Sequence, residues 1–179
     1  MQTLFFKEIH TQRLNLRMLK IKDAYPLSAL RSNAQVNRFI ARAQTTSMPE
    51  ALAFIQKMNT AIQAGQSLYW AITQKEDDKL IGTLCLFNIS ETENSAEVGF
   101  ELHPDFQQRG IVHEALSALI EFAFTDLKFT SLKAFTMQGN KASVALLKKN
   151  GFQPDENRIE SAEGNSGKYE LMLTLKREK

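Results

Sequence analysis

The sequence predicts an α+β fold in which one sheet is packed by helices. Segments that alternate apolar and polar residues recur along the chain and read as strands, while other segments repeat apolar residues every three or four positions and read as helices. Taken in order they give β-α-α-β-β-β-α-β-α-β, strands and helices interleaved too closely for separate layers of each. At 179 residues the chain is long enough for one substantial core and short for two, so residues 1–179 are expected to form a single domain.

The first strand is read at Arg13–Leu19, where Leu14, Leu16 and Met18 share one face. From Lys22 to Ile40 the pattern is helical, with Asp23 as a cap, Pro26 in the first turn, and Leu27, Leu30 and Ala34 on one side; Ser32-Asn33 marks a place to split it. A second helix starts at Ser47-Met48-Pro49-Glu50, carries Leu52, Ile55, Met58 and Ile62, and stops at Gly65. The residues between these two helices either line a substrate groove or simply belong to a helical hairpin over one side of the sheet, and the sequence leaves both open. Leu68–Thr73 and Leu80–Ile89 are rich in β-branched and aromatic residues and flank the charged turn Lys75–Lys79, which makes them an antiparallel pair. A third strand runs from Ala96 to Leu102.

That third strand leads into the most informative stretch, Glu97 to Ala115, which reads as strand, turn and helix. The unpaired N–H groups at the start of such a helix, together with its dipole, suit a phosphate, and Gln107, Gln108 and Arg109 are placed to supplement them. An ordinary strand-to-helix connection explains the same residues, so this stretch alone does not decide. Its helix is a core helix through Leu116, Leu119, Ile120, Ala123 and Leu127. Leu132–Met137 follows as a strand. Asn140 then caps a short helix carrying Val144, Leu147 and Ala145 or Leu146; Asn150-Gly151 ends it, Phe152 packs back, 154–167 is an irregular or partly stranded excursion, and Tyr169–Leu175 is the final strand.

Composition narrows the classes. With 22 basic against 20 acidic residues, the net charge of +2 offers no broad basic face for nucleic acid. A lone cysteine, Cys85, cannot form an internal disulfide, and no Cys/His cluster has metal-ligand spacing, which fits a reducing cytoplasm and no metal. No run approaches the roughly 20 apolar residues of a membrane span, and the start has no signal-peptide pattern. A P-loop nucleotide binder is set aside because Gly-x-x-x-x-Gly-Lys-Ser/Thr is absent.

Two features in this order, the strand-turn-helix at 97–115 and Asn140-Lys-Ala-Ser143-Val-Ala-Leu-Leu-Lys-Lys-Asn-Gly151-Phe152, resemble the GCN5-related N-acetyltransferases (GNAT). The turn Gln107-Gln108-Arg109-Gly110-Ile111-Val112 keeps the family's first glutamine and central glycine, with Gln108 where a glycine is favoured and Val112 where a small residue is usual. Arg13-Leu14-Asn15-Leu16-Arg17, Glu114-Ala115-Leu116, Asn140 with Ser143, and Gly151-Phe152 resemble the RimJ/RimL branch, ribosomal-protein N-acetyltransferases, and span residues 10 to 175.

The resemblance implies a mixed, strongly twisted sheet of six to seven strands with about four helices, splayed open where acetyl-CoA, the acetyl donor, lies. By the same resemblance, backbone amides of Gln108, Arg109, Gly110, Ile111, Val112 and His113 hold the pyrophosphate, Gln107 assists, strand backbone near Leu102 pairs with the pantetheine arm, and Asn140 and Ser143 touch the cofactor from the other side. Asn140 is equally well read as a helix cap and Ser143 as a small exposed residue. Lys148 and Lys149 could reach an adenosine phosphate, but the dipole already explains lysines at a helix end. Gln108 in place of glycine is expected to cost the turn backbone freedom, and whether Gln108 and Val112 weaken or alter cofactor binding is left open by the sequence.

Transfer in this family is direct, so Cys85 reads as a small core residue rather than a nucleophile. A base must take a proton from the incoming ammonium; Glu97 and Glu101 are the candidates, four apart on one strand and hence on one face. Each is equally a solvated surface glutamate. The tyrosine that many members use as the acid is Leu147 here, so Ser143 is the remaining candidate, with water as the alternative donor. His10, His103 and His113 form no pattern. An α-amine titrating near ~8 is about a tenth neutral at pH 7, against well below about one part in a thousand for a lysine near ~10.4, so a modest base suits an N-terminal α-amine. The expected acceptor is therefore the N-terminus of a protein, a ribosomal protein by resemblance; a small amine (polyamine, amino acid or aminoglycoside) and a catalytically silent CoA-binding regulator are the alternatives. Acetyl-CoA and the acceptor are the expected partners, with no nucleic acid and no membrane, and a homodimer is left open.

Overall fold

A computed structural model describes residues 4–40, 42, 47–137, 139–155 and 170–177. Among these, one sheet contains β1 (Ile9–His10), β2 (Leu14–Arg17), β3 (Leu68–Gln74), β4 (Leu80–Ser90), β5 (Ser95–Leu102), β6 (Ser131–Met137), β7 (Gln153–Pro154) and β8 (Glu170–Lys176). The helices are α1 (Ala24–Ser32), α2 (Ala34–Asn37), α3 (Met48–Gln63), α4 (Ile111–Thr125) and α5 (Lys141–Lys149), with 3-10 turns at Ile21–Asp23 and Pro104–Phe106. The sheet has eight strands where six to seven are expected, because two of them are only two residues long and carry no readable alternation. The helix count is five rather than about four because Asn33 splits the 22–40 pattern, its Oδ1 accepting from the N–H groups of Gln35 and Val36.

Strand order is β1-β2-β3-β4-β5-β6-β8-β7, antiparallel except for the β5/β6 pair. α4 makes the crossover between those two parallel strands. Both faces of the sheet are covered. Adjacent residues of a strand point to opposite faces, and Tyr69 meets Phe54 of α3 while Trp70 meets Phe122 of α4, so α3 and α4 lie on opposite sides. This is why Leu68 through Thr73 are all buried instead of alternating.

The capping box predicted at Ser47 is present, with Glu50 answering the Ser47 N–H. The buried face of α3 carries Ile55 and Ile62 as expected, with Met58 half-buried against the core, but in its first turn Ala51 is buried and Leu52 is exposed. Small Ala51 lets the helix approach the sheet closely, which a pattern counting only large apolar residues does not weigh. Ala34, expected on the inner side of its helix, is likewise exposed, because the break at Asn33 turns the chain. Phe152 and Leu147 are buried as read. Of the 154–167 excursion only Pro154 and Asp155 are described, and Tyr169 also lies outside the described residues.

β5 and β6 position the site. They pair only over Ser95–Glu97 with Ser131–Lys133, and β5 then continues to Leu102 and β6 to Met137 without further pairing. From Val98 onward the sheet is open between them, as the resemblance implies, with the backbone edges of two strands facing one gap.

Candidate active site

The gap is the floor of a cleft of about 1080 Å³. β5 and the start of α4 line one side of it, β6 and α5 the other, and Arg31, Gln35, Val36, Arg38, Phe39, Ile40 and Arg42 line it as well. Of the residues between the first two predicted helices, which the sequence leaves open between groove lining and simple cover, only Arg42 is described, and it lines the groove. A smaller cavity of about 540 Å³ lies near Tyr25, Asp78 and His103. It lacks both the open strand edges and the turn described next, so the larger cleft is the candidate site.

At the turn, Gln108 and Gly110 have φ of +60° and +74°, and α4 begins immediately after. The first N–H acceptor inside the helix is Gly110 O, taken by Glu114 N, and no side chain caps the helix start, so the N–H groups of Ile111, Val112 and His113 have no helical partner. Alternating left-handed residues followed by three orphan amides on a 15-residue helix form an anion-binding concavity. Gln108 therefore does adopt the left-handed backbone that a glycine would take there; the expected loss of freedom takes the form of a side chain held in a sparsely populated conformation. The carbonyl of Leu102 accepts from Gln107 Nε2 at 3.1 Å, which ties the end of β5 to the turn.

One residue before Leu102 on β5, Glu101 is buried. Its carboxylate lies 2.6 Å from Arg42 Nη2 and 3.7 Å from Arg31 Nη1, and Thr83 Oγ1 donates to it at 3.0 Å. Tyr69 Oη donates in turn to Thr83 Oγ1 at 3.0 Å. Burial pushes the Tyr69 phenol well above its ordinary range, with the nearby Glu101 charge acting the same way, so Tyr69 stays a neutral donor. Arg31 stacks on Phe54 at 3.9 Å, and Arg42 Nε donates to Asn37 Oδ1 at 3.0 Å, which holds both guanidinium groups in place.

Register explains why these groups meet. Thr83 pairs with Glu101 across β4/β5, and Tyr69 and Cys85 pair across β3/β4, so alternate positions of three strands present polar atoms to the same cleft. Glu97 lies on that face too, four residues before Glu101, and lines the cleft as the spacing predicts. Cys85 is half-buried, packed against the core as read and also part of the cleft wall; burial pushes its thiol up to about 12, which keeps it protonated.

Across the gap, Asn140 caps α5, its Oδ1 accepting from Ser143 N at 3.2 Å, and both residues line the cleft. His113 also lines it, with Nδ1 3.1 Å from Asn150 Oδ1. Of the residues predicted for the site, Glu97, Glu101, Leu102, Gln107, Gln108, Gly110, Ile111, Val112, His113, Asn140 and Ser143 are brought together in this one cleft. Arg109 is not among its lining; its guanidinium lies 5.7 Å from the Phe106 ring, and its carbonyl accepts from Arg13 Nη1. Lys148 and Lys149 also lie outside the lining. Sequence reasoning missed Arg31, Arg42, Tyr69 and Thr83. The polar residues at alternate positions of otherwise apolar strands could have flagged Tyr69 and Thr83; the arginines carry no local signal.

Among the described residues there is no group of three or more His, Cys, Asp or Glu placed to hold a metal, and no helix is long and apolar enough to cross a membrane. A sheet splayed beside a helix start with unpartnered amides is shaped to suit an extended, phosphate-bearing molecule along an open strand. Sequence comparison gives the family: residues 13–153 match the Acetyltransferase (GNAT) domain, and the chain belongs to it. An uncharacterised N-acetyltransferase, p20, of Bacillus licheniformis is 32% identical over 173 residues, 95% of this chain and 97% of that protein. Among solved structures, RimL, a ribosomal L7/L12 α-N-protein acetyltransferase in complex with coenzyme A, superposes with a TM-score of 0.84 at 22% identity, covering 95% of this chain and 98% of that one. A ribosomal-protein-serine acetyltransferase structure from Vibrio cholerae gives 0.82 at 24% identity, covering 99% and 100%. The chain is thus an acetyl-CoA-dependent acyltransferase whose fold is close to that of the ribosomal-protein acetyltransferases.

Proposed function

We propose that this enzyme acetylates the N-terminal α-amine of a protein, a ribosomal protein being the favoured acceptor. The observation that carries the choice is the charge of the acceptor end of the cleft. Arg31, Arg38 and Arg42 line it, and two of the three enclose Glu101. Polyamines and aminoglycosides carry several positive charges and would meet these guanidinium groups; an N-terminal amine brings only one. The fold-level likeness to ribosomal-protein acetyltransferases points the same way.

The residues present fit acetyl-CoA. The three uncapped amides and the two left-handed residues of the turn suit its pyrophosphate, and the unpaired edge of β5 beyond Val98 suits an extended amide-bearing arm. Asn140 and Ser143 face that arm from α5. Acetyl-CoA, when bound, supplies a thioester carbonyl open to direct attack by an amine.

The chain's own residues have three tasks. Glu97 and Glu101 are the proton acceptors for the incoming ammonium, directly or through one water. A β5 backbone N–H stabilises charge on the carbonyl oxygen as the amine adds. The Ser143 hydroxyl hydrogen-bonds the departing sulfur and relays to it a proton taken from water. Leu147 is buried and apolar, so its position contributes packing only. An α-amine is already about a tenth neutral near pH 7, and the modest proton acceptors of this cleft are matched to it.

Mass spectrometry of products formed from acetyl-CoA and a panel of N-terminal peptides, spermidine, amino acids and aminoglycosides tests this. Acetylation of peptide α-amines is expected. Ready turnover of spermidine or aminoglycosides with peptides untouched would overturn the acceptor assignment, and unchanged turnover in Glu97→Gln, Glu101→Gln and Ser143→Ala would remove the proton-transfer roles.

A further inference from the structure

The segment Arg13-Leu14-Asn15-Leu16-Arg17 plays no part in the chemistry above, yet Arg13 contacts the turn and the first turn of α4 directly. Its Nη1 donates to the carbonyl of Arg109 at 3.0 Å, across 96 residues of sequence. Its Nε donates to Glu114 Oε2 at 2.6 Å and its backbone N–H to Glu114 Oε1 at 2.8 Å, and Thr11 Oγ1 reaches the same Oε1 at 2.6 Å. Burial would raise the Glu114 carboxyl, but these donors hold it below the usual carboxylate range. One arginine therefore grips the first turn of α4 and the peptide immediately before it.

Planarity gives that grip a direction. In a trans peptide the C=O of Arg109 and the N–H of Gly110 point opposite ways, so holding the carbonyl from the Arg13 side aims the N–H away from Arg13. Gly110 lines the cleft and Arg13 does not. Residues 107–110 are all exposed, and two of them have positive φ, so burial does not fix that peptide's orientation.

We propose that Arg13, anchored by Glu114, is the positioning residue of the pyrophosphate-binding turn, setting the direction of the Gly110 amide and of the helix start behind it. This rests on the acetyl-CoA reading of the cleft. Charge and geometry make opposite predictions at Glu114. Removing its negative charge from the first turn of α4 makes the anion site more positive, which by electrostatics alone would tighten an anion. It also unfastens Arg13, which weakens the site if aim is what matters.

The test is binding measured by thermal-shift titration and calorimetry with CoA, dephospho-CoA and pantetheine, which lacks the pyrophosphate. Wild type, Arg13→Gln, Arg13→Lys and Glu114→Gln are compared. Loss of a charge-assisted hydrogen bond predicts that each variant binds CoA and dephospho-CoA about ten- to a hundredfold more weakly. Pantetheine binding should be unchanged. Arg13→Lys should fall with Arg13→Gln despite keeping the charge, because an ammonium cannot bridge two acceptors in a fixed fork. A melting transition in the ligand-free state checks that each variant is folded; should Arg13→Gln fail that check, Arg13→Lys and Glu114→Gln still decide. Undiminished CoA affinity in the folded Arg13 variants, tighter CoA binding by Glu114→Gln, or an equal loss for pantetheine would each overturn the positioning role. Absence of CoA binding by the wild type would overturn the cofactor reading itself, and is seen before any variant is made.

Discussion

Replacing Glu101 by glutamine keeps the shape of a buried side chain and removes the charge that two guanidinium groups enclose. The Glu101 side chain is 5% exposed, with Arg42 at 2.6 Å and Arg31 at 3.7 Å. Breaking a buried pair from one side costs about 3–5 kcal/mol. Here Arg31 and Arg42 retain 11% and 16% exposure, so the stranded charges partly rehydrate, and the lower figure of about 2–3 kcal/mol is expected. The Thr83 hydroxyl keeps an acceptor in the new amide oxygen and adds little to the loss. At about 2–4 °C per kcal/mol for a chain of this size, the melting temperature should fall by about 4–12 °C. Calorimetry or a urea melt of Glu101→Gln, Arg42→Gln and the double variant reads the interaction directly, and a coupling of at least about 1 kcal/mol is expected. Turnover should separate the two singles: Arg42→Gln leaves the carboxylate in the cleft wall, Glu101→Gln does not. Additive singles, or a Glu101→Gln melting point within about 1 °C of wild type, would show that the pair does not hold the acceptor wall together.

Three further outcomes follow from local geometry. Gln108→Gly relieves a left-handed side chain worth about 1 kcal/mol and costs about 0.5–1 kcal/mol of backbone entropy, so its melting point should match or slightly exceed wild type, while Gln108→Val should melt lower; equal melting of Val and Gln would refute the strain argument. Because the Cys85 thiol is pushed up to about 12, iodoacetamide at pH 8 should leave the native protein unlabelled by intact-mass spectrometry, and Cys85→Ala should keep its turnover. Burial would raise the Asp78 carboxyl, but hydrogen bonds from Arg17 and then Lys22 hold it far below the usual range. A depressed folded pKa stabilises above the unfolded value of about 4 and is lost as pH falls below it, so acid unfolding monitored by circular dichroism should be shallower in Asp78→Asn than in wild type.

The sequence carried the elements well and the contacts between them less well. Periodicity found the strands and helices because each is a local pattern, and Ser47, Asn140 and Gly110 marked helix starts through chemistry confined to a few residues. It placed Glu97 and Glu101 on one face because strand geometry has a period of two. It could not show that Glu101 is buried between arginines from a segment some sixty residues earlier, since that meeting depends on how the chain crosses the end of the cleft. On α3 it found Ile55 and Ile62 on the inner face but took Leu52 for the place that Ala51 fills, because burial follows the shape of the contact as well as hydrophobicity.

The first strand shows what is lost when a motif is read only as a pattern. Leu14 and Leu16 point into the core, which accounts for the alternation but not for the two arginines around them. Arg17 is almost wholly buried, donating to Asp23 at 2.7 and 2.9 Å and to Asp78 at 2.5 Å, and so fixes the entry to α1 against the turn between β3 and β4. Arg13, four residues earlier, fixes the entry to α4 through Glu114 and Arg109. Arg13 and this short strand therefore tie the start of α1 to the start of α4, the helix whose first residues line the cleft. A substitution that shifts β2 by one residue would turn Leu14 and Leu16 out of the core and release both helix starts at once, so damage in this strand should reduce cofactor binding and stability together, although no residue of it lines the cleft.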